Sequence, residues 1–92
     1  MNSENTFKLI EGTFSATDAK EIILTLVEEK IQFHKRRCLS HELRLGTKDD
    51  PSLKRINALK EMQEKLQEVF ETAEQNNHKL VINASIDIES KP

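Results

Sequence analysis

Leu80-Val81-Ile82-Asn83-Ala84-Ser85-Ile86-Asp87-Ile88 decides how the rest of this sequence is read. Leu80, Ile82, Ala84, Ile86 and Ile88 occupy alternate positions, with Val81, Asn83, Ser85 and Asp87 between them. Side chains of a strand point alternately to its two faces, so this period predicts a strand with one face on apolar neighbours and the other mostly in water. A strand needs a partner, and only one other segment qualifies. Residues 6–14 place Phe7 and Leu9 in alternation, then slip to Ile10 and Phe14; Gly12 marks a bulge or a close backbone approach.

Everything between these segments has helical period. Ser15 precedes a run in which Ala19, Ile22, Ile23, Leu26, Val27, Ile31 and Phe33 share one broad face, with Asp18 three residues after the cap. Around Cys38 this phase fails. Arg37, His41 and Arg44 fall in register with the apolar face while Leu39 and Leu43 fall opposite, so the helix bends, ends or outruns its core before Gly46 stops it. Asp50 as N-cap with Pro51 at the first helical position starts a second helix. It runs to about Gln75 with Leu53, Ile56, Leu59, Met62, Leu66, Val69, Phe70 and Ala73 inward, and Asn76-Asn77 ends it.

The expected fold is therefore α+β. It is a single β-α-α-β unit over residues 6–90, with two antiparallel terminal strands packed against a helical hairpin. The polar residues 1–5 are expected to be disordered. A strand of nine residues spans about 30 Å, and a helix covers that in about 20 residues. Residues 36–55 are thus expected to project beyond the sheet. Two strands make a marginal sheet and a chain of 92 residues has a modest core, so the sheet is expected to be extended by dimerisation.

Composition narrows the function classes. Charged residues make up 33% of the chain and hydrophobic ones 36%, without Trp or Tyr, and the formal net charge is −2. That balance is not one of a general nucleic-acid-coating protein. The charge is uneven: residues 34–55 hold seven Lys/Arg against three acids, +4, which leaves −6 on the remainder. Cys38 is the only cysteine, which fits a reducing compartment. The first residues lack a basic and an apolar region of the secretory kind, and no apolar run approaches a membrane span. A cytoplasmic location away from membranes is the expectation.

Each candidate chemistry has a simpler reading beside it. His34, Cys38 and His41 stand at i, i+4 and i+7, a spacing at which imidazole and thiolate ligate zinc, with Glu42 or His78 as a fourth ligand. No paired-cysteine or HExxH pattern supports it, and Cys38 reads more simply as a small buried hydrophobe. No metal and no cofactor are expected. A nucleophilic Cys38 lacks an orienting group and an oxyanion loop in a chain with two glycines. The paired acids Glu28-Glu29 and Asp49-Asp50 fit solvated helix faces and caps.

The best functional class on these grounds is a small, non-enzymatic protein-interaction or regulatory module, homodimeric, in which open strand edges take up a second copy or another protein. Phe7, Leu9, Val81, Asn83 and Ser85 are the strand-edge contact candidates. Arg36, Arg37, His41, Arg44, Lys48 and Arg55 form a second candidate surface for phosphate or an acidic partner. The alternative is a nucleic-acid-associated regulator that uses this basic hairpin tip.

Overall fold

The computed structural model describes residues 5–92. The elements follow in the order β1 (Asn5–Phe14), α1 (Ala16–Leu45), α2 (Asp50–Gln75) and β2 (Leu80–Ile88), an α+β arrangement of one two-stranded antiparallel sheet and a helical hairpin. Residues 1–4 of the expected disordered segment lie outside the described residues. Asn5 does not belong to a disordered segment: it opens β1, opposite Ile88.

The strand register explains the slipped pattern in β1. Phe7 pairs with Ile86, Lys8 with Ser85, Ile10 with Ala84, Gly12 with Ile82 and Phe14 with Leu80. Leu9 is the extra residue of a bulge between Lys8 and Ile10. One inserted residue changes the parity of the strand, so Phe7 and Ile10 share a face despite their odd spacing. The bulge therefore sits at Leu9, not at Gly12, whose Cβ position would meet the Phe14 ring at an ordinary 3.6 Å. Paired residues put Phe7, Ile10, Phe14, Leu80, Ile82, Ala84, Ile86 and Ile88 on one apolar face. Thr6, Lys8, Glu11, Thr13, Val81, Asn83, Ser85 and Asp87 form the other, where Thr6 Oγ1 donates to Asp87 Oδ1 at 2.9 Å.

The first helix does not break at Cys38. It runs unbroken for 30 residues from the Ser15 cap, whose hydroxyl accepts from Asp18 N–H at 3.1 Å, to Gly46. Gly46 takes the left-handed conformation (φ 70°) and donates its N–H to Glu42 O, a glycine-ended helix. What looked like lost phase is a narrowing of the buried stripe. Ile23, Val27, Ile31, His34, Cys38 and His41 recur every three or four residues, and α2 answers with Ser52, Ile56, Leu59, Gln63, Leu66, Phe70 and Ala73. Two such stripes make the seam of an antiparallel helical pair. The N-cap of α2 is Asp49, one residue earlier than expected. Its carboxylate accepts from Ser52 N–H at 3.3 Å and from Ser52 Oγ–H at 2.8 Å.

The core lies between the helices. Val27, Ile31, Cys38, Ile56 and Leu59 form the buried cluster, with Ile23 and Leu66 packed against it. Ala16, Ala19, Phe70 and Ala73 are buried near the strand end of the hairpin. No described strand residue is buried: Ile10, Phe14, Leu80, Ile82 and Ala84 are half-buried, and the outer half of the ribbon is exposed. The ribbon meets the hairpin only at its helix-proximal end, instead of lying beneath it. The reason is that the helices spend their seams on each other.

The molecule's dimensions agree. Its principal extents are 50 × 37 × 14 Å. A 30-residue helix accounts for the first at about 45 Å. Two helices side by side measure only about 15 Å across their Cα atoms, so the 37 Å extent comes from a ribbon projecting away from them. The radius of gyration, 16.7 Å, exceeds the about 12 Å of a compact chain of this length.

Candidate interaction surfaces

Two surfaces emerge from this layout. The first is the ribbon. Among the described residues its sheet holds only β1 and β2, so each strand has one outer edge of unpaired backbone groups. Its distal apolar face is open as well: Phe7 is 55% exposed, Ile86 41% and Ile88 51%. A sheet face this apolar normally rests on another layer. The bulge places exposed Leu9 at the same distal end. Val81, Asn83 and Ser85 lie together on the polar face, across from Thr13, Glu11 and Lys8. The five strand candidates thus divide between two faces, with Leu9 at the irregularity.

The second surface is the hairpin tip. Arg36, Arg37, Arg44, Lys48 and Arg55 are exposed there. His41 is half-buried, its Nε2 3.1 Å from Thr47 Oγ1, and serves to hold the connector. Among the described residues the one ion pair is Lys8–Glu11, so no tip cation has a carboxylate within 4.0 Å. Arg37 instead lies over the Phe33 ring, 5.7 Å from its centroid, and Lys30 lies over the same ring at 4.7 Å, a cation–π arrangement.

The three weak metal candidates do not assemble into a site. Cys38 is buried in the seam, and its thiol is pushed up by burial and by the Asp49 and Glu42 charges. A thiol so held stays protonated and is a poor ligand or nucleophile. His34 has both ring nitrogens out of contact with water and without a hydrogen-bond partner. Burial, then the charges of Lys30, Arg55 and Arg37, hold its pKa below the usual histidine range, against a smaller opposite effect of Asp49. Among the described residues no group of three or more His, Cys, Asp and Glu side chains is arranged to hold a metal ion, and no helix is long and apolar enough to cross a membrane.

The helix pair also has residues whose place the sequence pattern misjudged. Leu26, Phe33, Leu53, Met62 and Val69, expected inward, are exposed. Two helices bury only the stripe that faces each other, and the apolar band of each helix is wider than that stripe. The signal was present: Ile22, Leu26, Lys30, Phe33 and Arg37 form a second stripe at three- and four-residue spacing beside the seam. On the opposite side, Glu28 Oε2 accepts from Gln63 Nε2 across the helices at 3.1 Å, and Thr17 Oγ1 approaches Glu74 Oε1 at 3.4 Å. Hydrogen bonds from Gln32 and Gln63 keep the Glu28 carboxyl below the usual range.

These features define the chain as an open helical-hairpin α+β unit. No family model, no curated protein and no solved structure matches it.

Proposed function

We propose that this chain is a small, non-enzymatic protein-interaction module that works as a homodimer, with the ribbon as its assembly element. The observation that carries the reading is the ribbon itself: two strands, two open edges, no buried residue and an apolar distal face. Strand addition satisfies the edge groups, and a second layer or a wider sheet covers Phe7, Ile86 and Ile88.

Native mass spectrometry of the whole chain, paired with hydrogen exchange at low and high concentration, tests it. The expected result is a dimer mass and slower exchange of the β1 and β2 amides at high concentration, both lost in Phe7→Lys/Ile86→Lys. A bare monomer with concentration-independent ribbon exchange would remove the homodimer.

A second reading, a nucleic-acid-associated regulator, rests on the tip cations that lack carboxylate partners. Binding of a short labelled duplex that weakens steeply with salt and is lost in Arg37→Glu/Arg44→Glu is its expected signature. Absence of binding at low salt counts against it.

A further inference from the structure

One broad face of the helical hairpin carries mainly apolar residues and cations, with the acid Glu61 at its α2 edge. In α1 the stripe reads Ile22, Leu26, Lys30, Phe33, Arg37 and, further on, Arg44. In α2 it reads Arg55, Ala58, Met62, Lys65 and Val69. The interhelical bonds Gln63–Glu28 and Thr17–Glu74 mark the opposite side of the seam. With those bonds on one side of the seam, helical spacing puts both stripes on the other, and Lys30, Arg37 and Arg55 all act on His34 of the seam, as Asp49 does with opposite sign. The face is also grooved. A depression of about 410 Å³ on α2 is lined by Ala58, Glu61, Met62, Lys65, Leu66 and Val69, and Leu66, like Ile23 of α1, is only partly buried against the core. Five cations therefore stand around exposed Leu26, Phe33, Met62 and Val69, against the single carboxylate of Glu61 in the depression's lining.

We infer that this face docks an acidic amphipathic helix of a partner protein, which completes a three-helix bundle. The inference deepens the interaction-module reading above and rests on it. The groove between two packed helices, about 8–10 Å apart, is the seat a third helix takes. Its apolar floor needs an apolar stripe, and its cations need Asp or Glu flanking that stripe. A second copy placed face to face by a two-fold axis brings cations against cations, which disfavours this face as the dimer contact. Nucleic acid supplies phosphates but leaves Leu26, Met62 and Val69 against a polar backbone.

The test uses a labelled synthetic helix of about 20 residues, about 30 Å long, with Leu at three- and four-residue spacing flanked by Glu. A scrambled peptide of equal composition is the control. Fluorescence anisotropy with the whole chain is expected to show saturable binding, at least about tenfold weaker for the scramble. Arg37→Glu/Arg55→Glu and Met62→Gln/Val69→Gln are each expected to weaken it by about tenfold or more. Lys35→Glu/Lys60→Glu, the same charge change on the other side, is expected to leave it unchanged. Circular dichroism verifies that each variant keeps its helices. Equal binding of peptide and scramble, no saturable binding, or a preference for anionic vesicles or a DNA duplex that Met62→Gln/Val69→Gln does not weaken would overturn the inference. If hydrogen exchange shows the peptide protecting the ribbon instead of the hairpin, this placement falls while the interaction-module reading stands. If the chain is monomeric but the peptide protects α1 and α2, the homodimer falls and the docking face stands.

Discussion

Lys8 Nζ lies 3.0 Å from Glu11 Oε1, although residues three apart in a regular strand point to opposite faces. The extra residue Leu9 is what brings them to one side. The pair is a marker of the bulge more than a source of stability, since both side chains are largely exposed. A double-mutant cycle of Lys8→Ala and Glu11→Ala is expected to give a coupling of at most about 0.5 kcal/mol. Deletion of Leu9 is expected to keep the Phe7–Ile86 and Phe14–Leu80 pairs, seen as cross-strand nuclear Overhauser effects, and to leave Lys8 and Glu11 on one face as alternate residues of a regular strand. Loss of either pair would mean that the bulge sets the register.

Ile31 is 1% exposed and is the largest fully buried side chain described. Ile31→Ala leaves a cavity between the helices and is expected to destabilise the chain by about 2–5 kcal/mol, a large share of a small domain's total. Leu43, 77% exposed on the same helix, is expected to change stability by less than about 0.5 kcal/mol on truncation to Ala. Urea denaturation followed by circular dichroism compares the two. Similar losses would place the core elsewhere.

The His34 ring predicts an acid-sensitive hairpin. Its pKa is held below the ordinary value of 6.5 in the folded chain, chiefly by burial and then by Lys30, Arg55 and Arg37. The unfolded chain therefore binds the proton more readily. Stability is full above about pH 6.5 and declines as the pH falls through that value, until the folded ring is also protonated. His34→Gln is expected to flatten this part of the stability–pH curve, as read from thermal midpoints between pH 7.5 and about 5. An unchanged slope would remove His34 as the cause.

Asp49 acts in a lower window. Its hydrogen bonds from the Ser52 hydroxyl and N–H hold its carboxyl below the ordinary aspartate value of 3.8, so its contribution is present above that pH and is lost as acidification protonates the folded-state group. Asp49→Ala is expected to lower the thermal midpoint at neutral pH and Asp50→Ala to leave it nearly unchanged, because Asp49 is the residue that caps α2. The reverse order would make Asp50 the cap in solution.

The ribbon, both helices and most of their ends were legible in the sequence because each had a local cause. Alternation over Leu80–Ile88, the Ser15 hydroxyl, Gly46 and Pro51 all act within a few residues. The choice between Asp49 and Asp50 was not legible, since either carboxylate suits a cap beside Pro51 and only the backbone angles separate them. Nor was the placement of Leu26, Phe33, Met62 and Val69. Periodicity tells which way a residue points from its helix axis, but not how many neighbours are there to receive it. The strand-edge and tip candidates could be chosen from pattern alone. Their division between faces depended on the bulge, and the cationic stripe of Lys30 and Lys65 emerged only once the seam was known.

Asn5 opposite Ile88 gives the last word on order of assembly. The outermost rung of the ribbon joins positions separated by almost the entire described chain, whereas the hairpin's contacts begin beside a short connector and lengthen step by step to Glu28–Gln63 and Thr17–Glu74. Closing so long a loop is entropically the costlier event. The helices are then the scaffold that forms early, and the strands the clasp that shuts late and reopens first. Such a clasp is expected to open more readily than the hairpin, whose buried cluster does not depend on it.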